Sequence, residues 1–469
     1  MFKRFVFFLP FMLGILFAST GRHHGVNGEE LPLFSIIPFV GILLSIAIVP
    51  LVTPHYWHHN FGKIALFWAT LFIVPFAIKM GFNLAFYEFL HVMLLEYIPF
   101  IILLLSLFTI AGGIRLKGSL VGTPILNLSI IVIGTILASW MGTTGAAMLL
   151  IRPLIRANKW RNKKVHVIIF FIFLVANIGG SLTPLGDPPL FLGFLHGVSF
   201  FWTTKALLMP LIMVSSILFV VFYILDSYFY NKEKESQPES GGVKLALEGK
   251  VNFILLIGVV ASVLLSGFWH PHIEFNIYGV HVELQNIARD ILLLCLTGIS
   301  WKVTKMEIRN ANGFTWFPIQ EVAKLFSGIF VTIIPAIAIL KAGKNGALSS
   351  VVNAVTNDDG EPVNLMYFWL TGILSSFLDN APTYLVFFNT AGGDADILMT
   401  TLSETLLAIS AGAVFLGAMT YIGNAPNFMV KSIAEENDID MPSFFGYMAW
   451  SVVILIPVFI LFSLFYFWS

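Results

Sequence analysis

The reading of this chain turns on a stretch that is written twice: Gly180-Ser181-Leu182-Thr183-Pro184-Leu185-Gly186-Asp187-Pro188-Pro189 and Gly417-Ala418-Met419-Thr420-Tyr421-Ile422-Gly423-Asn424-Ala425-Pro426. Both fit G-x-x-T-x-x-G-[D/N]-x-P. The offset, 424 − 187 = 237, also sets Gly142-Thr143-Thr144-Gly145 against Asp379-Asn380-Ala381-Pro382. Each is a small polar break between short apolar segments. Proline lacks the N–H that would continue a helical ladder and glycine accepts non-helical dihedrals, so each G-[D/N]-x-P is expected to unwind a helix. In hydrocarbon the freed backbone groups need buried protein or an aqueous cavity around them. Gly/Pro interruptions at corresponding places in two halves of a membrane chain point to a transporter's binding site at the bilayer midplane. A single kink would be read as packing. Four in register, with Asp and Asn embedded, are read as a site.

The rest of the composition agrees that lipid is the solvent. Of 469 residues, 57% are hydrophobic and 11% charged, and the mean hydropathy is +0.87, more apolar material than one water-soluble core can bury. The 26 Lys+Arg match the 26 Asp+Glu, which leaves no basic excess to neutralise nucleic-acid phosphates. Apolar runs long enough to cross about 30 Å of hydrocarbon lie near 34–53, 64–86, 89–110, 122–141, 166–183, 206–226, 251–268, 287–301, 325–342, 405–422 and 443–468. They predict an all-α membrane protein of about 11–12 transmembrane helices. The single cysteine, Cys295, sits in an apolar run and reads as a small core residue; it excludes an intramolecular disulfide and a cysteine-based metal cluster. Lys3 and Arg4 precede the apolar stretch Phe5 to Phe17, so residues 1–20 read as a signal sequence or a first helix.

Charge placement gives an orientation. The cluster Arg152, Arg156, Lys159, Arg161, Lys163 and Lys164 is expected on the cytoplasmic side together with Arg115, Lys117, Lys302, Lys305 and Arg309, and the loop bearing Asp394 and Asp396 outside. The basic loop 152–164 and the acidic loop 390–404 then lie on opposite faces, which makes the two repeats inverted. The expected division is scaffold helices of repeat 1 at 34–117, its hairpin and broken helix at 118–226, a cytoplasmic linker at 227–250, scaffold helices of repeat 2 at 251–342, and the second hairpin, broken helix and last helix at 343–469.

Asp187 and Asp379 are the carboxylates expected at membrane depth, where an ionisable group is costly and is a functional candidate by default. A desolvated Asp can hold either Na⁺ or H⁺, and Asp187 is also placed to cap the half-helix that opens at Pro188. Asn380 and Asn424 offer amide oxygens to a cation or cap half-helices. Thr143, Thr144, Thr183 and Thr420 offer hydroxyls to a hard-oxygen shell, or bond to the carbonyl one turn back. Gly186 and Gly423 let the backbone open beside them. Na⁺ is thus expected on Asp187, Asp379, Asn380 and Asn424, as coupling ion or substrate, and no organic cofactor is expected. Glu88, His91 and Glu96, three then five residues apart, read as a buried network or an interface. His55, His58 and His59 neighbour Tyr56, Trp57 and Lys63 and read as boundary anchors.

At these residues the chain resembles the ion transporter superfamily. Asn177-Ile178-Gly179-Gly180 followed by Leu185-Gly186-Asp187-Pro188-Pro189 looks like the arsenite-efflux and P-protein form of the first unwound helix. Asp379-Asn380-Ala381-Pro382-Thr383 and Ile422-Gly423-Asn424-Ala425-Pro426 look like the bacterial sodium:proton antiporter and citrate-transporter branch. The resemblance implies a homodimer in the bacterial inner membrane, each protomer a scaffold plus a mobile transport domain working as an elevator. Its two re-entrant hairpins would fall near 118–155 and 365–392 and its broken helices near 166–200 and 405–436. Sodium-coupled dicarboxylate carriers of the superfamily carry Ser-Asn-Thr at both hairpin tips, where this chain has Gly142-Thr143-Thr144 and Asp379-Asn380-Ala381.

Two acids in a low-dielectric site attract cations, so the first expectation is a Na⁺/H⁺ antiporter. The alternative is Na⁺- or H⁺-coupled citrate or dicarboxylate transport, which the half-helix N-termini favour; metalloid-oxyanion efflux is a third option from the Gly-Asp-Pro-Pro form. No enzyme is expected. The sequence has no Gly-x₄-Gly-Lys-Ser/Thr loop for ATP.

Overall fold

The computed structural model describes residues 25–233 and 244–468. The expected signal sequence or first helix and the middle of the expected linker lie outside the described residues. The chain is helical apart from two short β-ribbons, β1 (Arg115–Lys117) with β2 (Ala246–Glu248) and β3 (Glu274–Ile277) with β4 (Val280–Glu283), both antiparallel.

The first three helices are long and apolar: α1 (Leu33–Val52), α2 (Pro54–Met80) and α3 (Phe82–Ala111). Within α3, residues Met93–Tyr97 form a π-helical turn. A hairpin of two arms follows, α4 (Pro124–Met141) and α5 (Thr143–Ala157). Thr123 caps α4 by accepting from the Leu126 N–H at 3.3 Å, with Pro124 at the first helical position. Gly142 turns the chain between the arms at φ +80°, a conformation that side chains resist. The next helix is broken: α6 (Val165–Leu174), a 3₁₀ turn at Ile178–Leu182, a tight turn at 184–186 closed by Gly186 N–H to Thr183 O at 3.0 Å, then α7 (Pro188–Leu195). The long α8 (Phe200–Asn231) ends this half.

The second half has α9 (Val251–Phe268), α10 (Leu284–Val303) and the short α11 (Met306–Ala311). Then come α12 (Phe317–Thr332) and α13 (Ile334–Lys341), which meet at a 41° bend, and α14 (Ser349–Val355). The second hairpin is α15 (Asn364–Phe377) and α16 (Asn380–Thr390). After the short α17 (Ala395–Met399), the second broken helix runs α18 (Ser403–Phe415), a 3₁₀ turn at Leu416–Met419, and α19 (Ala425–Glu435); α20 (Phe444–Phe467) closes the chain.

Eight helices among the described residues are long and apolar enough to cross a membrane, nine if the bent α12–α13 pair is one span. That is fewer than the eleven apolar runs, because 287–301 falls on α10 with its polar start, 325–342 is bent between α12 and α13, and 405–422 is α18 with its 3₁₀ turn, too short to span. α10 carries Gln285, Asn286, Arg289, Asp290 and Lys302. Burial sorts the two kinds. The first broken helix is 89% buried and α2 only 22%, as expected when an all-round apolar helix forms the centre and long helices face lipid. Cys295, expected in the core, is exposed on α10. In a membrane protein an apolar run marks the outward face as readily as the inward one.

The two broken helices fold alike. Thr183 and Thr420 have φ/ψ of −139°/159° and −137°/167°, and Asp187 and Asn424 have −143°/143° and −154°/140°. The same side chains clamp both. Thr183 Oγ1 donates to the Ser139 carbonyl and Thr420 Oγ1 to the Ser376 carbonyl; Ser139 Oγ donates to Gly179 O and Ser376 Oγ to Leu416 O. Every pair is separated by 237 residues, the offset read from the sequence.

The basic and acidic loops lie at different ends of α8. Arg161 Nη2 pairs with Asp226 Oδ1 at 2.6 Å, whereas Trp202 Nε1 donates to Met399 O at 3.2 Å. The anchors are 226 − 202 = 24 residues apart, about 36 Å along a helix. Arg156 Nη2 donates to Leu116 O at 3.1 Å, which draws Arg115–Lys117 to the same end as the basic loop.

A Cβ on Gly423 would lie 2.5 Å from Gly417 O and 2.8 Å from Ser375 O, all backbone that cannot give way easily. Gly423→Ala is therefore expected to cost about 1–3 kcal/mol, whereas Gly298→Ala, with nothing within 4 Å, should leave thermal denaturation of the detergent-solubilised protein unchanged.

Candidate functional site

All four breaks converge on one carboxylate. Asp187, 1% exposed, stands at the head of α7 but makes no capping hydrogen bond there. Its Oδ1 accepts from Thr143 Oγ1 at 3.2 Å and Asn424 Nδ2 at 3.0 Å, and its Oδ2 accepts from Asn380 Nδ2. Thr143 and Asn380 are themselves 237 residues apart and open the second arms of the two hairpins. One donor thus comes from each hairpin tip and one from the other broken helix. Thr143 N–H also donates to Gly186 O at 2.9 Å, tying the first tip to the first break.

Beside this carboxylate lies a cavity of about 110 Å³, several times the space that one ordered water needs. Its polar lining comprises Thr143, Thr144, Asp187, Asp379 and Asn424, with Gly186 beside them, and its apolar wall includes Phe100, Phe191 and Phe326. Asp379 is half-buried and caps α16 by accepting from Ala381 N–H at 3.0 Å. Asn380, fully buried, has an amide oxygen with no hydrogen-bond partner. Two carboxylates, that free amide oxygen and a threonine hydroxyl are all hard-oxygen donors, the kind that Na⁺ prefers. No Lys, Arg or His lines the cavity among the described residues.

Thr183, Asn380, Thr420 and Gly423 do not line the cavity, though Asn380 touches it through Asp187. Thr420 Oγ1 donates to Ser376 O and accepts from the N–H groups of Ile422 at 3.2 Å and Gly423 at 3.1 Å, so all its bonding capacity holds backbone. Thr183 Oγ1 likewise donates to Ser139 O and accepts from Leu185 N–H at 3.2 Å. Neither bonds one turn back in a helix.

Two further asparagines complete the centre. Asn177 Nδ2 donates to Asn427 Oδ1 at 2.6 Å, and Asn427 Nδ2 donates to Gly417 O and Thr420 O at 2.8 and 2.9 Å. Asn424 Nδ2 also reaches Asn177 Oδ1 at 3.3 Å. This chain links the two broken helices to each other. Asn427 had a sequence signal, a second amide three residues beyond Asn424 on the same helical face.

The outlying clusters lie apart from the cavity. Glu88 Oε1 accepts from Val26 N–H at 3.3 Å, and Glu96 Oε1 lies 3.7 Å from His196 Nε2. His58 packs its ring 4.6 Å from that of Phe317 on the exposed start of α2. No group of three or more His, Cys, Asp or Glu side chains fit to hold a metal occurs among the described residues.

A helical membrane protein with a small, mainly apolar cavity that two carboxylates line, set where four interrupted segments meet, has the build of a transport protein. Residues 28–467 match the family described as "Putative citrate transport", and the chain belongs to that family. No curated protein is similar enough to the chain to count as a relative.

Asn427→Ala would leave the Gly417 and Thr420 carbonyls without these partners in a buried place and take one of two acceptors from the Asn177 amide, which keeps Ile172 O at 2.8 Å. The expected cost is about 1–3 kcal/mol, read by thermal denaturation. Asn60→Ala, on the surface of α2, should stay within about 0.5 kcal/mol.

Proposed function

We propose that the protein is a cation-coupled carrier of citrate or a related small carboxylate, in which Na⁺ or H⁺ binds at Asp187 before the carboxylate. The observation that carries this reading is the cavity itself. It belongs to a chain of a citrate-transport family, yet it presents Asp187 and Asp379 and no cationic side chain. A polycarboxylate entering such a cavity meets like charge in a low-dielectric wall and is excluded until cations offset it. The half-helices α5 and α7, and α16 and α19, start at the breaks and turn their N-terminal partial positive charge toward whatever the cavity holds.

The coupling cation would be held by Asp187 with the Asn380 amide oxygen, and a second by Asp379. The carboxylate would then lie against Thr144 and the start of α5. The citrate family favours this cycle over the Na⁺/H⁺ antiport expected from the acids alone. The two halves would act as inverted repeats across the bilayer, an arrangement supported by the roughly 36 Å that separates the basic and acidic loops along α8. The basic end would face the cytoplasm of a bacterial cell, and the protein would work as a homodimer with an elevator-like motion.

Proteoliposomes containing the wild-type protein should accumulate labelled citrate when an inward Na⁺ or H⁺ gradient is imposed and not without one. Asp187→Asn should slow uptake by about 10-fold or more, the scale of one lost charge-assisted hydrogen bond. Sodium-driven proton counterflow with no carboxylate flux would move the assignment to antiport.

A further inference from the structure

A second cavity lies at the other end of α8 from the basic loop, between the α7–α8 connection, the end of α9, the β3–β4 ribbon and the start of α10. Its volume is about 740 Å³. We propose that this cleft is a second anion site, an antechamber in which a small polycarboxylate is held by Arg289 and Lys205 before it reaches the central cavity. The proposal rests on the carboxylate reading of the cargo.

Arg289 is 1% exposed, although arginine is rarely buried without full pairing. Its Nε donates to Asp290 Oδ1 at 2.9 Å and its Nη1 to Asn286 Oδ1 at 3.0 Å, but its buried Nη2 has no hydrogen-bond partner. Guanidinium presents five donors in a fixed fork suited to a carboxylate, and here one end of the fork is unoccupied at the wall of a cavity. Lys205, on the facing start of α8, is exposed and makes no ion pair among the described residues. The two acids of the cleft are already engaged. Glu274 Oε2 lies 3.0 Å from His281 Nδ1, and Glu283 Oε2 accepts from Gln285 Nε2 at 2.7 Å and Asn286 Nδ2 at 3.2 Å. Among the described residues, Lys205 and the Nη2 end of Arg289 are thus cationic donors of the cleft left without a hydrogen-bond partner.

Position supplies the link to transport. The Arg289 guanidinium lies 6.0 Å from the centroid of the Phe191 ring, and Phe191 also lines the central cavity. The basic group thus stands behind a wall of the acidic site. A carboxylate gains its cationic contacts outside that wall, and the inner cavity, which offers none, receives it once the coupling cations are in place. Such a layout raises the local concentration of anions without holding them too tightly at the transport site.

Two measurements test this. In proteoliposomes, Lys205→Gln and Arg289→Lys should each raise the KM for citrate by about 3- to 10-fold, since an exposed charge and a bidentate donor differ in strength over that range, and leave the maximal rate at saturating citrate unchanged. In a Cys295→Ser background, Lys205→Cys should be labelled by a charged thiol reagent, and citrate at constant ionic strength should slow the labelling, also when Asp187→Asn is added. Uptake intact with KM and labelling both indifferent overturns the antechamber and leaves the carboxylate reading in place. Labelling slowed by citrate with no citrate uptake in wild type supports the anion site and removes the cargo reading. Labelling slowed in phosphatidylglycerol vesicles without citrate, and insensitive to citrate in phosphatidylcholine, would assign the cleft to a lipid headgroup and overturn the proposal.

Discussion

The structure depends on a buried carboxylate being satisfied by residues far from it in sequence. Asp187 takes hydrogen bonds from Thr143, Asn380 and Asn424, which lie 44, 193 and 237 positions away. An unpaired charge at that depth is costly, so the four segments that carry these groups have to end together. That requirement explains the short arms: α5, α7, α16 and α19 begin at the carboxylate. It also explains why the Ser139/Thr183 and Ser376/Thr420 clamps recur. They supply partners to the backbone left open where each helix is interrupted, which hydrocarbon cannot do. The long helices α1, α2, α8 and α20 then serve as the lipid-facing cover of a polar centre.

In the proposed cycle the same electrostatics makes coupling obligatory. A cavity with two carboxylates and no cationic side chain binds a polycarboxylate only with cations, so the affinities of cation and carboxylate rise together. Linkage makes the effect reciprocal: whatever factor the cation adds to carboxylate affinity, the carboxylate adds to cation affinity. The free amide oxygen of Asn380 fits this scheme, because a buried acceptor without a partner is a cost that a bound cation removes. Antiport would use the acids alone and gives no role to a citrate-family cavity walled by Phe100, Phe191 and Phe326.

The breaks and their pairing were legible in the sequence because Gly, Pro, Asp and Asn interrupt apolar runs at one fixed spacing. The hairpins and broken helices expected near 118–155, 365–392, 166–200 and 405–436 fall within a few residues of α4–α5, α15–α16, α6–α7 and α18–α19. The span count was less legible, since half-helices and true spans have the same apolar composition and differ in length and burial. The outward position of Cys295 was hidden for the same reason. Asp187, Asp379 and Asn424 line the cavity and Asn380 reaches it through its hydrogen bond to Asp187, whereas the hydroxyls of Thr183 and Thr420 hold backbone. The motif names the residue at each position but not the direction its side chain takes. Asn427 stands one turn beyond Asn424, but its pairing with Asn177 spans the contact between the two broken helices, which no local pattern encodes.

The central claim, that a cation on Asp187 admits the carboxylate, is tested most directly by equilibrium binding of citrate to the purified protein while Na⁺ is titrated at fixed pH and pH is titrated at fixed Na⁺. The account predicts that at least one of the two cations raises citrate affinity by about 10-fold or more, and that Asp187→Asn removes the dependence. Citrate binding of equal affinity with and without both cations, or a dependence untouched by Asp187→Asn, would contradict it.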